Sequence, residues 1–271
     1  MKKIFEAVSS FQPVYRINNR EENLDFFRKT LGIRPLLEEG ALVDMGGNET
    51  KQCRFQLEES PASKGYHEVA WGRDGKRHAG TTLLVSREEL EQLLLHRPKF
   101  DDVFFYSRDG EWGLETFSPE NDVFRVVSNP EFRIKSRDRL SGVDPELDVK
   151  AETDYQGLTD FKVLEVSLRY NSKQADAATF FSHYFDMLPD NEGRLVFPFV
   201  TIELLDRAYS DGAVATDTWD LEVLGFHLDP QADLPALAAD FISPDLDYYL
   251  DPAGHVLSVK TPFGVELWFE K

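Results

Sequence analysis

Residues able to do covalent or metal chemistry are sparse in this chain: one cysteine, Cys53, and six histidines. His67-Glu68 opens in the manner of a zinc-hydrolase helix, where two histidines one turn apart share a face. Trp71 stands four residues after His67, however, so the second ligand is missing. No Gly-x-Ser-x-Gly turn occurs to present a serine nucleophile. Cys53 falls in an expected strand with no activating context visible in the sequence, which reads as a small core residue. A pairing of Cys53 with His67 stays open, because catalytic partners meet in space rather than in sequence.

Charge narrows the partners. The 271 residues carry 30 Lys and Arg against 49 Asp and Glu, a net of −19. Residues 136–271 hold 10 cations against 26 anions, so this half alone carries −16. No basic stripe with interleaved aromatics offsets that field, and nucleic acid is excluded as an expected partner. No run of about eighteen apolar residues occurs, and Glu6 interrupts the short apolar segment at the start, so neither a membrane span nor a signal peptide is expected. With a lone cysteine, a reducing, cytoplasmic location is expected, with extracellular presence only by lysis or unconventional release.

The elements that must position any site repeat. Gln12-Pro-Val-Tyr-Arg-Ile-Asn18 returns as Glu165-Val-Ser-Leu-Arg-Tyr-Asn171, and Glu39-Gly-Ala-Leu-Val43 as Glu192-Gly-Arg-Leu-Val196, both at an offset of 153. Between the blocks lie helical stretches, Glu21–Leu31 and Lys173–Phe185, each with a Phe-Phe pair. Strands are expected at 12–18, 41–45 and 52–57, then at 81–85, followed by a helix from Ser86 to His96 with Glu89 completing a capping box, and strands near 103–106, 112–117 and 123–127. The second half has the same layout. Its strands are expected at 164–170, within 194–205 and at 221–228, then after a short helix near 234–241 at 248–250, 255–260 and 265–270. Four βαβββ units result, and 129–160, rich in charge, Pro and Gly, reads as a linker.

This arrangement resembles the vicinal oxygen chelate superfamily, the glyoxalase, extradiol dioxygenase and bleomycin-resistance group. More narrowly, Arg16–Asn18, Leu36–Glu39 and Phe55–Pro61 resemble the CppA family of bacterial proteins. The fold class implied is α+β: tandem glyoxalase-like domains, each of two βαβββ modules forming a curved, cup-like mixed sheet, with domain 1 at 1–130, a linker at 131–160 and domain 2 at 161–271. The family name implies degradation of complement C3, with C3 as partner. A homodimer is compatible with the reading.

In metal-dependent relatives a His, Gln or Glu on a unit's first strand and a Glu on its last strand converge inside the cup. Carried over, the resemblance puts Gln12 on the first strand of domain 1 and Arg125 where the carboxylate would sit, so that cup is expected to lack metal and to leave Arg125 for a small anionic ligand. In domain 2, Glu165, Ser167 and Arg169 share one strand face, Glu266 lies near the carboxylate position, and Glu222 and His227 lie on the counterpart strand with opposite parity. Glu165, Glu222, His227 and Glu266 are thus the candidate metal ligands, although the superfamily His is absent. Gln12, Arg16, Arg125, Arg169 and Trp268 are the candidate ligand-binding residues of an aromatic and Arg-lined cup. Two readings compete: a small-ligand or protein-binding module without a cofactor, and an enzyme using a divalent metal in domain 2, where Glu165 and Glu266 would point into one cup.

Overall fold

The computed structural model describes residues 1–60, 76–96, 103–135, 139, 147, 149–170, 176–206 and 219–271. The first module contains β1 (Val8–Ile17), α1 (Arg20–Thr30), β2 (Arg34–Glu39), β3 (Leu42–Gly46) and β4 (Phe55–Glu59). The second contains β5 (His78–Leu84), α2 (Arg87–His96), β6 (Phe104–Arg108), β7 (Glu111–Phe117) and β8 (Val123–Val127). The third holds β9 (Lys162–Tyr170), α3 (Ala177–Phe185), β10 (Arg194–Val196) and β11 (Thr201–Asp206). The fourth holds β12 (Leu221–Leu228), α4 (Leu234–Ala238), β13 (Tyr248–Leu250), β14 (Val256–Lys260) and β15 (Glu266–Glu270). Strand β2 was not anticipated, because Pro35 and the Glu-rich end obscure its alternation.

Local signals explain the helices. Asn19 caps α1 by accepting from Glu22 N, with Glu21 and Glu22 in the first turn and Arg28 and Lys29 in the last, matching the helix dipole. Ser86 Oγ accepts from Glu89 N at 3.1 Å while Glu89 Oε2 reaches back to Ser86 N at 3.4 Å, the expected capping box of α2. Asp176 and Asp233 cap α3 and α4. Gly40 and Gly193, which share the repeat offset, both turn with positive φ (59° and 81°), so the two turns are alike in backbone as well as in sequence.

Two curved mixed sheets result, and their topology shows which modules pair. The eight-stranded sheet runs β13-β14-β15-β12-β1-β4-β3-β2 and the seven-stranded sheet β10-β11-β9-β5-β8-β7-β6. The first module therefore joins the fourth through antiparallel β1–β12, and the second joins the third through antiparallel β5–β9. Each sheet draws one module from each half of the chain.

The backs of the two sheets share an aromatic-rich core. Phe27 of α1 packs 5.0 Å from Phe55 in one sheet and 5.1 Å from Phe124 in the other. In the second half Phe185 of α3 packs against Phe5 and Phe241, and Phe5 against Phe226 and Phe269. With the backs committed to the core, the polar sides of the strands are left for the concave faces.

The stretch read as a linker is anchored at both ends. Phe132 is buried against Tyr106 and Val127, and Leu158 is fully buried, with its N–H bonded to Gly32 O. Arg54 makes a two-pronged ion pair with Asp160, and Glu89 Oε1 accepts from Thr159 N at 2.7 Å.

Candidate ligand-binding site

On the eight-stranded sheet, Gln12, Arg16, Glu222, His227, Glu266 and Trp268 all belong to the three adjacent strands β1, β12 and β15. The parity conflict between Glu222 and His227 is resolved by a register shift between Val14 and Tyr15, which pairs Val14 with Val223 and Tyr15 with Leu221. One residue of β12 is thus extra, and Glu222 swings to Arg16, whose Nη2 lies 2.9 Å from its Oε1. Glu58 Oε1 is 4.0 Å from the same guanidinium nitrogen. Trp268 Nε1 donates to Glu266 Oε2 at 2.7 Å, and His227 Nδ1 lies 3.8 Å from Glu270. Burial pushes the Glu222 carboxyl up to about 7; Arg16 pulls it down, but Glu58 and Glu266 push it up again.

The seven-stranded sheet carries the candidate site. Its concave face opens on a cavity of about 690 Å³, within the range of small-molecule sites, lined by side chains that include Thr82, Arg125, Arg133, Glu165, Arg194 and Glu203. The register places one row of residues straight across four strands: Arg125 on β8 opposite Thr82 on β5, Thr82 opposite Glu165 on β9, and Glu165 opposite Thr201 on β11. Arg125 Nε donates to Glu115 Oε2 at 2.9 Å, which fixes the side chain, and its terminal nitrogens lie over Gly80 of β5. A Cβ at Gly80 would collide with that guanidinium, so glycine is what lets Arg125 lie flat on the sheet.

Glu165 is 5% exposed, and burial pushes its carboxyl up, opposed by Arg133 and pushed further by Glu203. Arg133 Nε approaches Glu165 Oε2 at 3.4 Å, and among the described residues no hydrogen bond reaches that oxygen. Arg133 and Lys135 come from the anchored linker, with Phe132 and Ile134 supplying an apolar wall between them. Arg108 and Lys135 bring the lining cations to five, against the carboxylates of Glu131, Glu165, Glu192 and Glu203. Arg125 is paired with Glu115, and Arg194 with Asp190 and Glu192, so the cavity gathers cations that are already partly compensated.

Several expectations are corrected by this topology. Gln12 and Arg125 do not share a cup, and neither do Glu165 and Glu266, because Gln12 and Glu266 lie in the eight-stranded sheet and Glu165 and Arg125 in the seven-stranded one. The sequence offered no way to see that the halves exchange modules. Arg125 does not stand free, being held by Glu115. Arg169 lies on β9 but donates through Nη1 to Lys76 O at 3.0 Å and His78 O at 2.9 Å, so it secures backbone and does not line the cavity. Arg108, Arg133, Lys135, Arg194, Thr82 and Glu203 were not singled out from the sequence. The alternation Phe132-Arg133-Ile134-Lys135 was the available signal for two of them.

The metal that the resemblance implies does not fit the row of Gln12 or the row of Glu165. The last-strand residue in the row of Gln12 is Trp268, through Gly225, and the one in the row of Glu165 is Arg125, through Thr82. Both side chains are donors only and have no lone pair for a divalent cation. Arg16 engages the carboxylate of Glu222. Among the described residues no three or more His, Cys, Asp or Glu side chains are arranged to hold a metal ion.

Two further groups bear on proteolysis. Cys53 Sγ donates to Phe55 O, and burial, then the charge of Asp44, push the thiol up to about 12, so it stays protonated. His67 lies outside the described residues. Asp122, His78 and Thr81 form a carboxylate, imidazole and hydroxyl chain, with 2.8 Å from Asp122 to His78 Nδ1 and 2.9 Å from His78 Nε2 to Thr81 Oγ1. All three are buried, the Thr81 hydroxyl is also engaged by Tyr15, and Lys76 pairs with Asp122 at 2.6 Å, so this chain joins the two sheets and presents no nucleophile.

Two sheets of paired modules around one core, each with a polar concave face, define a protein of the glyoxalase fold. A crystal structure of glyoxalase I from Zea mays superposes with a TM-score of 0.57 at 10% identity, over 97% of this chain and 92% of that one. The crystal structure of cppA protein from Streptococcus pneumoniae TIGR4 superposes with a TM-score of 0.67 at 23% identity, over 97% of this chain and 98% of that one. No curated relative matches. The models of the CppA N-terminal and CppA C-terminal regions match residues 10–134 and 158–269, and the chain belongs to the CppA family.

Proposed function

We propose that the protein is a small-ligand binding module of the glyoxalase fold, and that the concave face of its seven-stranded sheet takes a small organic anion. The observation that carries this reading is the convergence of Arg125, Arg133, Arg194, Arg108 and Lys135 on one cavity in a strongly acidic chain. Guanidinium groups match carboxylate geometry with two parallel hydrogen bonds, and Arg125 is already held in place by Glu115, which lowers the ordering cost of binding. Val127, Phe132, Ile134 and Leu205 offer apolar surface for the remainder of the ligand.

Degradation of complement C3, which the family name implies, would need a nucleophile or an activated water. Cys53, kept as a thiol, and the buried Thr81 favour binding over hydrolysis. The reading as a divalent-metal enzyme draws no support from the Trp268 and Arg125 positions. The test is calorimetric titration with a panel of small organic acids against wild type and Arg125→Gln. Saturable one-to-one binding that weakens about tenfold or more in the variant is expected. Absence of binding by every acid, or equal binding by the variant, overturns the reading.

A further inference from the structure

We infer that the ligand of this cavity is a zwitterion of the α-amino-acid type, with its carboxylate on Arg125 and its ammonium between Glu165 and Glu203. The inference rests on the anion reading above and goes beyond it, because cations alone would suffice for a simple acid.

Opposite charges lie side by side here, and Glu165 is compensated only in part, Arg133 Nε standing 3.4 Å from its Oε2 without a hydrogen bond. Along the row Arg125–Thr82–Glu165, a cation and an anion flank a small hydroxyl residue. The Arg125 guanidinium lies over Gly80 of β5, whose partner on β9 is Ser167, two residues along from Glu165, so the two charges stand on a diagonal, roughly 8 Å apart. That spacing fits the two ends of one amino acid. Glu203, a diagonal neighbour of Glu165 on the adjacent strand β11, makes no side-chain hydrogen bond or ion pair among the described residues, and neither does Lys135 on the opposite wall. Glu165 Oε2 is buried and has no hydrogen bond among the described residues, so a donor from the ligand would satisfy it. A ligand bearing only a carboxylate would leave Glu203 unpaired beside Glu165, which Arg133 approaches only at 3.4 Å. An ammonium group compensates both. Val127, Phe132 and Ile134 give the amino acid's side chain an apolar wall.

The experiment titrates the full chain with the common L-amino acids, each beside its des-amino acid and its decarboxylated amine, and repeats the series on Glu203→Gln, Glu165→Gln and Arg125→Gln. The expected result is that at least one amino acid binds about tenfold or more tightly than both of its analogues. Glu203→Gln and Glu165→Gln should reduce that amino acid to the level of its des-amino acid, while the acid itself, relieved of a like charge, binds no more weakly than to wild type; Arg125→Gln weakens both. Should Glu165→Gln fail to fold, the more exposed Glu203→Gln decides. Equal binding of amino acid and des-amino acid overturns the zwitterion inference and leaves the anion reading standing. Binding of the amine in preference to the acid, or of no compound at all, overturns both.

Discussion

Outside the cavity, burial displaces the titrations of Glu222 and Cys53 upward. The Glu222 carboxyl, pushed up to about 7, faces Arg16, Glu58 and Glu266. A group that holds its proton more tightly in the folded state than in the unfolded chain contributes stability below the ordinary carboxylate range, and that contribution is lost as pH rises through about 7. Wild type should therefore lose Tm relative to Glu222→Gln between about pH 5 and about pH 8, as thermal melts across that window will show. A constant difference in Tm would mean that the Arg16 pair outweighs burial. For Cys53, with its thiol pushed up to about 12, alkylation at about pH 8 should be slow in the native protein and should accelerate on denaturation. Rapid native alkylation would place a thiolate in this strand after all.

Among the elements, α2 and the glycine of β5 do the most positioning. Glu89 closes the α2 capping box with Ser86 and also accepts from Thr159 and Asp160, so one carboxylate fixes both a helix start and the end of the linker. Glu89→Ala should cost about 1–3 kcal/mol in denaturant unfolding, the sum of a lost cap and unsatisfied donors, whereas the neighbouring Glu88→Ala should be close to neutral. If the two variants lose equal stability, the tie to the linker is not holding the fold. Gly80→Ala should cost some stability, because Gly80 sits at φ 158°, and should lift Arg125 off the sheet, weakening the binding of small organic acids in the protein that still folds. Unchanged affinity would show that the flat Arg125 conformation is not the binding one.

At the scale of the whole molecule, the two halves complete one another's sheets. The long pairings β1–β12 and β5–β9 cross between halves, and Asp220 of the second half accepts from the N–H groups of Arg77 and His78 in the first. Residues 1–135 produced alone would expose the inner edges of β1 and β5, each a ready template for another strand. Such a fragment should dimerise or aggregate, and co-production with residues 150–271 should recover a one-to-one complex by size exclusion and light scattering. A monomeric fragment with a cooperative unfolding transition would contradict the exchange of modules. The seven-stranded cavity depends on the same exchange, because Arg125 belongs to the first half and Glu165 to the second.

Local and periodic features of this protein were legible in its residues. The 153-residue repeat anticipated matching modules and the paired turns at Gly40 and Gly193; the Ser86–Glu89 spacing anticipated the start of α2; and the short alternating runs at 123–127, 221–228 and 248–250 became strands with those bounds. These depend on neighbours a few residues apart, where steric and capping preferences act directly. Which modules share a sheet was decided only by the tertiary structure, since either pairing satisfies the same alternation of polar and apolar residues. That choice separated Glu165 from Glu266 and Gln12 from Arg125, joined Arg125 to Glu165 in one row, and turned part of a charged linker into a cavity wall. The register shift that brings Glu222 to Arg16 is likewise a property of two strands together, set by how β1 and β12 meet and invisible in either strand alone.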